Sequence, residues 1–94
     1  MKNDNLEKKL WQSVQEIRSR YDYDINQFTI DLFDEIESRI NDTEELGVDI
    51  TIGSLCYKVD TILEIIKPNT TDYFAVRDLN EMLNEYYNVY VKEL

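Results

Sequence analysis

Two glycines, Gly47 and Gly53, and one proline, Pro68, are all the strong backbone punctuation that 94 residues contain. Tight turns lean on such residues, so this chain must put most of its length into a few long elements. Apolar residues recur at steps of three and four along nearly the whole sequence, which is the helical period. The expectation is an all-α single domain over residues 1–94, a small antiparallel four-helix bundle with short loops.

Four segments carry that pattern. In the first, from about Asn5 to Arg20, Leu6, Leu10, Val14, Ile17 and Tyr21 form the stripe, and Trp11 sits at its edge. Asp4 or Asn5 is the expected cap, and Arg18 and Arg20 suit the negative end of the helix dipole. The second opens at Asp24, with Gln27 three residues on and Tyr23 and Phe28 placed as a hydrophobic staple. Its stripe is Ile25, Phe28, Leu32, Ile36 and Ile40, with Phe33 beside it. It ends between Asn41 and Leu46, with Gly47 as C-terminal cap.

The third segment is the most apolar: Ile52, Leu55, Cys56, Val59, Ile62, Leu63 and Ile66 line one side. Val48, Ile50 and Ile52 alternate with polar residues, which also fits a short strand. Helix is preferred, because no second strand exists to pair with it. Asp49 or Thr51 would cap the segment, and Pro68 stops it near Ile66. The fourth begins at Thr70 or Thr71, with Ala75, Leu79, Met82, Leu83, Tyr86 and Tyr90 facing inward, and has the length to reach the C-terminus.

Charge is unevenly distributed over this frame. Residues 22–49 hold ten acids and one base, Arg39, for a local charge of −9 in a chain of net −10. At 100° per residue, Asp31, Asp34, Glu35 and Glu37 fall opposite the apolar stripe of the second helix. Such a face keeps a small domain soluble. It also repels itself, and a basic partner would relieve that repulsion.

Catalytic signatures are missing. There is no histidine, so neither a Ser–His nor a Cys–His pair can exist. Cys56, the single cysteine, lies on an apolar stripe, where a thiol is inert. The glycines are isolated, so they make no phosphate-cradling loop. Asp22, Asp24 and Asn26 match the first ligand positions of a calcium loop, but Gln27 and Phe33 stand where glycine and a bidentate glutamate belong. No cofactor and no metal is expected, and enzyme chemistry is not. The N-terminus lacks the apolar run of a secretory signal, and no stretch is apolar enough to span a membrane, so the expected location is the cytoplasm.

Seven tyrosines are the second hint of binding, since tyrosine is enriched among interface hot spots. Tyr21, Tyr86 and Tyr90 fall on the stripes, whereas Tyr23, Tyr57, Tyr73 and Tyr87 fall at their edges or outside. The candidate partner-contact residues are therefore Tyr23 and Tyr87 with the acids Asp31, Asp34, Glu35 and Glu37. Asp42, Glu44 and Glu45 extend that set past the end of the second helix.

The expected function is an acidic, non-enzymatic protein-binding module. Its partner would be a basic protein, a nuclease or other nucleic-acid-binding protein, because phosphate binding requires Lys and Arg. Covering such a surface makes an inhibitor, of the immunity-protein, antitoxin or phage-antagonist kind, that mimics nucleic-acid charge. Direct nucleic-acid binding and membrane binding are not expected. The alternative is a small helical adaptor or homodimer whose acidity serves solubility, with Trp11, Ile30 and Ile65 marking the self-association face.

Overall fold

A computed structural model of the chain describes residues 2–22, 24–41 and 48–89, and side chains within 7–22, 24–41 and 51–89. Among the described residues, four helices follow one another: α1 (Lys2–Tyr21), α2 (Gln27–Ile40), α3 (Val48–Ile65) and α4 (Thr71–Tyr87). Among the described residues there is no strand. Helix α1 packs on α2 and α4, and α3 packs on the same two, which closes a ring. The result is a four-helix bundle. Ser13 meets Tyr86 and Tyr21 meets Asp78, so α1 and α4 run in opposite directions.

Among the described side chains, each helix contributes three or four to one core. Leu10, Val14 and Ile17 come from α1, and Leu32, Phe33, Ile36 and Ile40 from α2. Ile52, Leu55, Cys56 and Val59 come from α3, and Ala75, Val76, Leu79 and Leu83 from α4. Burying one large apolar side chain stabilises by about 1.5–3 kcal/mol, so this layer supplies most of the drive to fold. Tyr21, Ile62, Leu63, Ile66, Met82 and Tyr86 pack around it, partly buried.

Several expectations need correction. Helix α1 starts at Lys2, so Asp4 and Asn5 lie inside the helix and neither is its cap. Helix α2 is capped by Asn26 rather than Asp24: the Asn26 side chain accepts from the Thr29 amide at 3.2 Å. Asp72 on α4 imposes this choice by accepting from both the Asn26 backbone N–H and its side-chain amide, at 2.9 and 3.0 Å. Asp24 is drawn away, accepting from the Thr71 hydroxyl at 2.7 Å.

The core face of α2 is also rotated from its expected place. Phe28 is 52% exposed, whereas Phe33 and Thr29 are fully buried. A row of residues four apart advances about 40° per step around a helix. Phe28 and Ile40 therefore stand about a third of a turn apart, and the row's inner end draws Phe33 to the centre of the core.

Residues 48–52 are helical, not a strand, and Thr51 is buried within the first turn of α3. Val76 joins the core of α4 although the expected stripe omitted it. The link between α3 and α4 turns at Asn69, whose φ of 66° lies in the left-handed region that asparagine tolerates. Thr70, one of the two expected starting positions, then caps α4, accepting from the Tyr73 amide at 3.1 Å. The Gly47 cap and the inward-facing Tyr90 lie outside the described residues.

Candidate functional site

The four acids of α2 are less alone than the sequence implies. Arg18, in the last turn of α1, reaches across and donates to Asp34 at 2.8 Å and to Glu37 at 2.5 Å. Its guanidinium also stands 5.9 Å from the Phe33 ring centroid. The side chains of Arg18 and Glu37 are each only 21% exposed, so Glu37 lies in the α1–α2 seam rather than on an outer face. Partial burial alone would lower the pKa of Arg18, but the hydrogen bonds and charges of Asp34 and Glu37 outweigh it and raise the value.

Glu35 leans the other way. It accepts from Lys58 of α3 at 2.6 Å, and Arg39 lies 3.7 Å away, one turn along its own helix. Asp31 accepts from Gln27 at 2.8 Å. The four carboxylates thus divide between two seams and do not converge on one patch. Reversing all four to lysine would set two new cations against Arg18, so that change disturbs the fold as well as the surface.

The structure places the remaining candidates as follows. Tyr87 is partly buried in the α3–α4 seam, its ring edge within 3.5 Å of the space a β-carbon on Gly53 would fill. Tyr23, Asp42, Glu44 and Glu45 lie outside the described residues. Trp11 and Ile65 are both exposed, but they stand on α1 and α3, diagonal across the ring, and make no common face.

Two features were not legible in the sequence. The first is a polar groove of about 290 Å³ between α1 and α4, lined by Glu16, Arg20, Asp78, Glu81 and Glu85 among others. Asp78 is its hub. It accepts from the Tyr21 hydroxyl at 2.6 Å, and Arg20 and Arg77 lie 3.7 and 3.3 Å away. The hydrogen bond to Asp78, with partial burial, raises the pKa of Tyr21. Only the pairing of α1 with α4 brings these distant residues together.

The second is an apolar opening between α2 and α3. Phe28 and Ile65, the latter 73% exposed, line one hollow of about 420 Å³ at the end of the bundle. A smaller hollow of about 140 Å³ continues along the seam over Leu32 and Ile62 to Glu35 and Lys58. An i,i+7 clue was present: Phe28 and Glu35 are seven apart on α2, as are Lys58 and Ile65 on α3. Two turns of antiparallel helix therefore present an ion pair and then an apolar pair.

Cys56 is buried, and burial, followed by the nearby Asp60, pushes its thiol up to about 11. Among the described residues no cluster of metal-ligating side chains forms, and no helix is long and apolar enough to cross a membrane. No protein-family model matches the chain, and no curated protein or solved structure shows detectable similarity to it.

Proposed function

We propose that this chain is a non-enzymatic protein-binding module that covers a basic surface of another protein. The favoured partner is a nuclease or other nucleic-acid-binding protein, which makes the chain an inhibitor that stands in for the charge of nucleic acid. The observation that carries this reading is uncompensated charge. Twenty acids face ten bases, so the cations are outnumbered wherever they are placed. Asp60, Glu64, Glu81 and Glu85 are exposed and make no ion pair with the described residues. The pairs made by the α2 acids neutralise only part of the field, since ion pairs at a surface are weak and solvated.

Such a field steers a cationic surface into encounter and repels phosphate. Docked on a nucleic-acid site, it would exclude the natural ligand by occupying the same lysines and arginines. The test immobilises the full chain at low ionic strength, identifies the captured proteins, and asks whether duplex DNA displaces them. Enrichment of basic proteins that DNA competes away is the expected result. Enrichment no different from that of an unrelated acidic protein of equal charge would overturn it.

The alternative, an adaptor or homodimer, draws on the apolar opening at Phe28 and Ile65. Sedimentation across a salt series separates the two, because apolar self-association persists in salt whereas charge-led capture weakens.

A further inference from the structure

The α2–α3 opening has an apolar floor and an acidic rim. Phe28, Ile62 and Ile65 form the floor. On the rim, Asp31, Glu35 and Asp72 outnumber Lys58 and Lys67; Lys58 is held by Glu35, and Asp72 accepts from Asn26. An exposed phenylalanine beside an exposed isoleucine at the mouth of a groove, ringed by polar groups, is the form of an interaction site. Two independent details mark this seam as unfinished. Helices α2 and α3 make the slackest of the four contacts in the ring. Thr29, which lines the larger hollow, is fully buried with a hydroxyl that has no hydrogen-bond partner among the described residues.

We infer that this groove seats a basic amphipathic helix of the partner protein, apolar side chains down on Phe28, Ile62 and Ile65 and flanking Lys or Arg on the acidic rim. Helix-in-groove docking uses anchors three and four residues apart, and the two turns between Phe28 and Glu35 span about 10 Å, room for two or three such anchors. Charge chooses the occupant. A second copy of this chain would bring another −10, and a two-fold contact would set the rim acids against their own counterparts. A helix with basic flanks meets them with opposite charge. The inference rests on the binding-module reading and adds the surface and the shape of the segment bound there.

The probe is a synthetic amphipathic helical peptide of about five turns, with a leucine stripe flanked by lysines. Two comparators accompany it: one with glutamate in place of lysine, and one with the same residues scrambled. Binding to the full chain is read by fluorescence anisotropy and by amide chemical shifts. The expected result is binding of the lysine peptide alone, shifts centred on Phe28, Asp31, Ile62 and Ile65, and at least about tenfold weaker binding to Phe28→Ser and Ile65→Ser. Both positions are exposed, so both variants should fold, which the unchanged remainder of the spectrum verifies. If the scrambled peptide binds as well and the shifts fall on Glu81 and Glu85, the groove is overturned while charge-led capture stands. Binding of none of the peptides, or equal binding of the glutamate peptide, overturns the groove and the basic-partner reading together. Sedimentation of the chain as a dimer that Ile65→Ser dissociates gives the groove to a second copy and overturns the inference.

Discussion

Helix α2 meets α1 along one flank and α3 along the other, and the two seams are finished differently. On the α1 side, Arg18 lies over Phe33 and holds Asp34 and Glu37, with little of Arg18 or Glu37 left in water. On the α3 side, the Lys58–Glu35 pair is more open, with 35% and 43% of its side chains exposed, and two turns away Phe28 and Ile65 stand uncovered. One run of acids therefore performs two kinds of work. Where a neighbouring helix supplies an arginine, the acids close the fold. Where it supplies a lysine and then an isoleucine, they leave a charged rim around an apolar floor.

Two phenylalanines five residues apart in α2 give the largest test of that difference. Phe33→Ala should cost about 3–5 kcal/mol, since the ring is fully buried and its loss leaves a cavity. That is a large part of the roughly 5–15 kcal/mol a small domain possesses. Phe28→Ala should cost less than about 1 kcal/mol. Urea titration reads both as shifts of the midpoint at constant slope. Similar costs for the two would mean that the α3 flank is closed, and the groove with it.

The cations beneath the two flanks give a smaller contrast. Arg18→Met keeps an apolar stem but leaves Glu37 half-buried without its partner, at an expected cost of about 1–2 kcal/mol. Lys58→Met removes a more exposed pair and should cost about 0.5 kcal/mol or less. Salt sharpens the comparison. Added salt screens the repulsion that remains among surplus acids, so the wild-type melting temperature should rise from dilute buffer to moderate salt. The rise should be steeper in Arg18→Met, whose α2 acids have lost their cation. Equal slopes in the two proteins would show that Arg18 does little to offset the acidic run.

The contrast between the flanks also marks what a sequence can disclose. Helical period and scarce glycine are local properties, so four helices, the start of the fourth at Thr70 or Thr71 and most of the core could be read directly. The charge of residues 22–49 was equally plain, but its meaning was not. Arg18 is 16 residues from Asp34 and Lys58 is 23 from Glu35, and no spacing rule predicts contacts across helices. The same limit hid the Asn26 cap, chosen by Asp72 from 46 residues away. Phe28 was misplaced for a different reason: a stripe of fourfold steps drifts around the helix, so its ends cannot both face one core.

The smallest test concerns the floor of the open flank. Thr29 is fully buried, and its hydroxyl finds no partner among the described residues. A buried hydroxyl without a hydrogen bond costs about 1–3 kcal/mol by mutational measure. Valine has nearly the same shape and no polar atom, so Thr29→Val should leave packing intact and remove that cost. Both residues are β-branched, so helix propensity changes little. The expected result is a stability gain of about 1 kcal/mol, read as a melting temperature several degrees higher. Thr29→Ser, which keeps the hydroxyl and loses a methyl, should instead lose about 1 kcal/mol. The pair of variants separates polarity from volume at one site. A loss in Thr29→Val would mean that the hydroxyl is satisfied in solution, and the α3 flank would then be as fully bonded as the α1 flank. A gain would identify an unmet polar group beneath the one seam of α2 that is left open.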